Sequence, residues 1–129
     1  NYKNPIYKLE ADIAQLNKTP SRDVMWNING KTISNRTVIR TITCNMDRTH
    51  TAALFKYNGP KGNTYRRLTM REAFLLMGFT EEEYAKASSL NFSYRKLNQL
   101  IGNSIVVNVL QAIFEAMFGD TYKKSETSE

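Results

Sequence analysis

Few side chains in this 129-residue sequence could do chemistry, and their spacing limits what that chemistry can be. His50 is the single histidine and Cys44 the single cysteine. A Ser-His-Asp or Cys-His arrangement would need one of them beside a suitable partner, and neither spacing is visible. One cysteine supplies neither an internal disulfide nor a CxxC metal pair, so the chain reads as reduced and intracellular, with Cys44 a small, partly buried residue. His50 reads as an exposed loop residue in reach of a phosphate or a base. Glu81, Glu82 and Glu83 read as the first turn of a helix, where they complement its dipole. There is no G-x-G-x-x-G fingerprint and no phosphate loop. No self-sufficient active site and no metal site are expected.

Two polar constellations look more purposeful. Tyr65-Arg66-Arg67-Leu68-Thr69-Met70-Arg71-Glu72 sets three arginines around a helix start, which makes a seat for a phosphate. The same residues could instead be structural, with Arg66 or Arg71 pairing with Glu72 to organise a sheet-to-helix turn. Asn103-Ser104 follows Gly102 at a second helix start. It either caps that helix, which periodicity favours, or offers an amide, a hydroxyl and free N–H groups to a ligand.

The elements that must position these residues follow from pattern. Asn4-Pro5 is a helix start, and Ile6, Leu9, Ile13 and Leu16 then recur at helical spacing as one buried stripe, ended by Lys18-Thr19-Pro20-Ser21. Val24, Trp26 and Ile28 alternate with polar residues before Asn29-Gly30, a two-residue hairpin signal. Residues 38–43 are rich in β-branched side chains and read as a strand, as do residues 52–57, with a loop over 58–63. A small antiparallel sheet is expected, its loops bearing Arg36, Arg40, Arg48, His50, Lys56 and Lys61. Thr69 with Glu72, and Thr80 with Glu83, are capping boxes, and Gly78 is a helix stop. Ser93 caps a third helix, through Ile101. A fourth runs from the Gly102-Asn103-Ser104 break to Phe118 and stops at Gly119. Its wide apolar face holds Ile105, Val109, Ala112, Ile113 and Ala116. The polar tail, 123–129, is expected to be disordered.

The net charge is +6, unevenly placed. Residues 1–71 hold thirteen Lys or Arg against four Asp or Glu, a net of +9; the remainder holds five against eight, a net of −3. The basic half suits a polyanion such as DNA or RNA, and equally a solvated basic surface. A chain of this length supports one modest domain. No membrane span is expected: the most apolar stretch, 101–118, is interrupted by Gly102, Asn103, Ser104, Asn108 and Glu115. The chain begins with Asn1 rather than Met, as a processed chain or a piece of something longer would.

The stretch RRLTMREAFLLMGF, residues 66–79, closely resembles motif nine of the DNA cytosine-5 methyltransferases. IGNSIVVNVLQAI, residues 101–113, resembles their motif ten. Order and separation fit as well. Residues 24–65 are similar to the last part of the variable target-recognition region, with Thr41-Ile42-Thr43 similar to its short Thr-Leu-type element. The resemblance implies an α+β chain: a small sheet lobe, then short helices, then a C-terminal helix that packs on a Rossmann-like catalytic domain the chain lacks. It implies a division into 1–23 (helix and linker), 24–100 (target-recognition lobe with motif nine), 101–119 (motif ten segment and helix) and 120–129 (tail).

The resemblance also assigns roles. Arg66, Leu68, Thr69, Arg71 and Glu72 become scaffold, with Gly78 and Gly102 structural and Arg66 in reach of DNA backbone. Asn103 and Ser104 line an S-adenosylmethionine pocket. Arg36, Arg40, Asn45, Arg48, His50, Lys56 and Lys61 are candidates for DNA contact. The implied activity is methyl transfer from S-adenosylmethionine to a cytosine flipped out of double-stranded DNA, in the cytoplasm of a bacterium or from a phage gene. The family's Gly-rich cofactor loop, Pro-Cys nucleophile, Glu-Asn-Val and Gln-x-Arg-x-Arg segments are absent, and Cys44 follows Thr43. The chain is therefore expected to be inactive alone, to partner a catalytic domain or subunit, and to self-associate through its last helix. Met70, Leu75 and Thr80 depart from common family residues. Two other readings stand beside this one: a small basic nucleic-acid-binding module without enzymatic activity, and a methyltransferase remnant that binds only protein.

Overall fold

The computed structural model describes residues 3–26, 39, 41–46 and 54–126, with the backbone alone at Met25, Asn63 and 120–126. It has an α+β architecture: a three-stranded antiparallel sheet, then short helices, then a longer C-terminal helix.

Helix α1 (Pro5–Ile13) opens as the sequence predicts, Asn4 accepting from the Ile6 N–H at 3.0 Å with Pro5 in the first turn. Its buried side is not the predicted one. Ile6, Leu9 and Ile13 are 52–70% exposed, whereas Ala11 and Ala14 are buried. The small residues let the helix end approach the sheet closely: the Arg67 N–H donates to the Ala14 carbonyl at 3.1 Å. Strand β1 (Gln15–Leu16) follows directly.

Lys18-Thr19-Pro20-Ser21 begins a helix rather than ending one. Thr19 caps α2 (Pro20–Met25), accepting from the Arg22 N–H, and this cap overrides the two-residue alternation of Val24 and Trp26. Ile28, Asn29-Gly30 and Val38 lie outside the described residues.

Strands β2 (Leu54–Gly59) and β3 (Gly62–Arg67) form a hairpin where a loop was expected across 58–63. Gly59 pairs with Gly62, leaving Pro60-Lys61 as the turn, and Gly62 takes a φ of 91° that favours glycine there. β3 is central, β1 pairing on its other side. Ile39 and residues 41–43 are not strand, contrary to their composition. A later helix holds this segment instead: Asn98 Nδ2 donates to the Thr43 carbonyl at 3.0 Å.

Helices α3 (Met70–Leu76), α4 (Glu81–Ser89) and α5 (Tyr94–Gly102) begin at Thr69, Thr80 and Ser93 as their signals require, the first two with complete capping boxes. Gly78 ends the α3 corner at φ 90°, and Asn91, at φ 53°, ends α4. Together they enclose the core of Ile42, Met46, Leu68, Met70, Ala73, Phe74, Met77, Tyr84, Leu97 and Ile101. Phe74 meets Tyr84 edge-on at 5.3 Å.

Helix α6 (Val107–Glu126) starts later and ends later than predicted. Its start is set by the Val107 N–H, which donates to the Met77 carbonyl at 2.9 Å. It runs through Gly119, which costs a helix only about 1 kcal/mol, and its backbone stays helical to Glu126, into the tail expected to be disordered. Ile105, Val109, Ile113, Phe114, Met117 and Phe118 are 46–65% exposed. By length and composition alone, 94–119 is apolar enough to cross a membrane, an 18-residue window within it having a mean hydropathy of 1.5. The break between Gly102 and Val107 leaves only 107–119 as continuous apolar helix, about 20 Å against the ~30 Å of a bilayer core.

Candidate functional site

The corner between β3 and α3 is built from charge pairs. Arg66 and Arg67 are adjacent on a strand, so their side chains leave opposite faces. Arg66, 4% exposed, forks onto Glu72: Nη1–Oε2 is 2.9 Å and Nη2–Oε1 is 3.0 Å. Its guanidinium also lies 4.6 Å from the Phe55 ring centroid. Glu72 Oε2 in turn accepts from the Thr69 N–H at 3.0 Å, so one carboxylate closes the capping box and holds the arginine. Arg71 ties three helices together. Its Nε donates to both Glu10 oxygens at 3.0 Å, its Nη1 pairs with Glu81, and Tyr7 and Tyr84 flank its guanidinium. Tyr7 also donates to Glu81. Of the three arginines around the helix start, two are committed to carboxylates.

Arg67, read in sequence only as one of the three arginines of a phosphate seat, is the third. Its guanidinium stacks 3.8 Å over the Tyr94 ring, and its Nε is buried without an acceptor among the described residues. The signal was present in strand alternation: only one of two neighbouring arginines can reach Glu72.

Gly102 sits where no larger residue fits. A Cβ there would lie 2.3 Å from the Cys44 nitrogen and 2.5 Å from the Thr43 carbonyl carbon. With fully buried Asn98, it fastens residues 43–44 to α5. Asn98 was not singled out in sequence, where a polar residue on an amphipathic helix reads as surface. Asn103 is the C-cap of α5, its N–H donating to the Gln99 carbonyl, rather than the N-cap of the next helix. The Ser104 N–H returns to Ile101 at 3.1 Å. The Asn103 side chain is exposed and that of Ser104 half-buried, both at the foot of the bare face of α6.

Among the DNA-contact candidates, Arg36, Arg40, Arg48 and His50 lie outside the described residues. Asn45 is exposed beside the Thr43–Cys44 anchor. Lys56 and Lys61 are exposed on the β2–β3 hairpin, with Lys56 Nζ 5.2 Å from the Trp26 ring centroid. Beneath them Tyr65 donates to Asp23; burial and then this carboxylate push its phenol up to about 12. The structure thus brings Arg66, Thr69, Arg71 and Glu72 into one corner. It sets Lys56 and Lys61 on the hairpin, and Asn103 and Ser104 at the end of α5.

The model of the family described as C-5 cytosine-specific DNA methylase matches residues 2–119. Two curated relatives, the orphan methyltransferase M.Rho11sI of Bacillus phage rho11s and the orphan methyltransferase M.SPRI of Bacillus phage SPR, are each 40% identical over 62 residues. That stretch is 48% of this chain but only 12% and 14% of those proteins, so the chain spans a small part of the relatives it matches. No solved structure matches it.

Proposed function

Since the chain belongs to the C-5 cytosine-specific DNA methylase family, we propose that it forms the end of the target-recognition lobe and one wall of the cofactor pocket of a DNA (cytosine-5-)-methyltransferase. In this reading residues 24–100 read the duplex and 101–119 rejoin the catalytic domain. The observation that carries the reading is the pairing of a rigid, charge-locked corner at Arg66–Glu72 with a helix whose apolar face is bare. A stand-alone binding module would bury Ile113 and Phe114, which are 48% and 52% exposed.

The chain's own residues divide the labour. Arg66, Leu68, Thr69, Arg71 and Glu72 hold the β3–α3 corner, so that the hairpin stands at a fixed angle to the helices. Gly102 and Asn98 fix residues 43–44, which the recognition candidates Arg40, Asn45, Arg48 and His50 flank in sequence. Arg36, Lys56 and Lys61 supply cations for phosphates or purine edges.

S-adenosylmethionine, when bound, supplies the methyl group. The residues here fit one edge of its pocket: the Asn103 amide and Ser104 hydroxyl are polar, accessible and make no side-chain hydrogen bond among the described residues. The attacking thiolate belongs to the catalytic part, because Cys44 follows Thr43 and its backbone is clamped under Gly102. The chain alone is inactive in this reading, and works in the cytoplasm of a bacterial host.

Grafting tests the assignment. Residues 24–104 replace the corresponding region of the rho11s phage relative, and the methylated sites in plasmid DNA are sequenced. A changed target site supports the reading; an active graft that keeps the parent's site overturns it.

A further inference from the structure

A cleft of about 200 Å³ lies between α1, the β3–α3 corner and α5, with Glu10, Ile13, Arg67, Met70, Tyr84 and Tyr94 among its lining residues. It differs from the rest of the corner in one respect. Arg66 and Arg71 each have carboxylate partners, whereas Arg67 makes no ion pair among the described residues and its buried Nε has no acceptor there. It is nonetheless held in place, by stacking on Tyr94 at 3.8 Å and by pairing of its strand with Leu54, which is fully buried. A half-buried cation that is oriented but unpaired favours an incoming oxyanion, which its terminal nitrogens can take side by side.

The walls select which oxyanion. Ile13, Ala14, Met70 and Leu97 are apolar, and Glu10 lies on the same lining. The first turn of α4 adds Glu81, which shares Arg71 with Glu10. A phosphodiester chain, charged at every link, would meet these carboxylates along its length; a single carboxylate on an apolar stem would meet the arginine, the apolar walls and only Glu10, whose charge Arg71 already offsets. At its rim Ile13, 70% exposed, continues into Leu9 and Ile6 along α1, an apolar stripe with nothing packed on it among the described residues.

We infer that the Arg67–Tyr94 cleft is a docking notch for a glutamate side chain of a protein partner, with apolar neighbours of that glutamate covering the α1 stripe. The inference does not depend on the methyltransferase reading.

The test uses the whole chain, labelled for NMR, and the tripeptide acetyl-Leu-Glu-Leu-amide as probe, against its Gln counterpart and inorganic phosphate. The expected result is a saturable shift at the Tyr94 ring and the Arg67 side chain, with a Kd of about 1 mM. The Gln peptide should bind about tenfold more weakly. Arg67→Gln should lose the preference for Glu while Ile13→Ser weakens both peptides alike. No shift with the Glu peptide, or equal binding of the Glu and Gln peptides, overturns the proposal. So does phosphate binding as tightly as the Glu peptide, which would mark a nucleic-acid backbone contact instead.

Discussion

Glu72 faces Arg66 across the β3–α3 corner in a two-pronged pair of 2.9 and 3.0 Å, while the same carboxylate accepts the Thr69 N–H that opens the helix. Strand end, helix start and buried charge are therefore one unit. Glu72→Ala leaves a 4% exposed guanidinium without its counter-charge and removes half of the capping box. It should cost about 3 kcal/mol in urea unfolding. Arg66→Met leaves only a carboxylate that is 23% exposed and still caps the helix, and it should cost distinctly less.

Glycine positions separate sharply. Gly102→Ala drives a methyl into the Thr43–Cys44 backbone, so we expect a loss of about 2–3 kcal/mol and changed amide shifts across 41–46. Gly119→Ala meets nothing within 4 Å inside α6 and should raise thermal stability, by about 0.5–1 kcal/mol. Equal effects of the two substitutions would contradict the packing described.

Two titrations carry opposite signs. The Glu83 carboxyl is held below its usual value, first by the Thr80 backbone N–H and then by its hydroxyl. Its contribution to the α4 start is thus present above the ordinary glutamate pKa and lost as pH falls through the lowered one. Amide exchange at Thr80 should rise there, and Thr80→Ala should return the Glu83 titration toward normal. Tyr65 is raised to about 12 by burial and then by Asp23. Its contribution is whole below pH ~10 and lost as pH rises toward 12. Phenolate absorbance should show Tyr65 ionising late, alongside Tyr84, which burial also pushes up. In Asp23→Asn the Tyr65 midpoint should fall yet stay above the ordinary value.

Affinity for duplex DNA should fall linearly in log-log form as salt rises. Lys56→Gln and Lys61→Gln, both on the exposed hairpin, should each reduce that slope by about 1. A slope of zero for the parent chain would favour a purely protein-binding role.

Local signals were legible at Asn4, Thr69, Thr80 and Ser93, which all cap as their spacing predicts, though Thr19 caps a helix where a helix end was expected. Readings that depended on which face is buried fared worse. Ile6, Leu9 and Ile13 form a stripe in sequence, yet Ala11 and Ala14 take the sheet, because close backbone approach rewards small residues. Ile42 and Thr43 have strand propensity, but the partner that claims them is Asn98, 55 residues on. The Arg66–Glu72 alternative was visible in the motif, whereas the stacking of Arg67 on Tyr94 required the α5 placement that only tertiary structure gives.

The most direct measurement of the central claim is transfer of a labelled methyl group to cytosine carbon five in duplex DNA. The assay holds this chain, S-adenosylmethionine and a separate catalytic chain carrying the Gly-rich loop and the Pro-Cys nucleophile. The account predicts no transfer by either chain alone and transfer by the two together, abolished when α6 carries Ile113→Asp and Phe114→Asp. Methyl transfer by this chain alone, or a mixture that binds together and stays inactive, would contradict it.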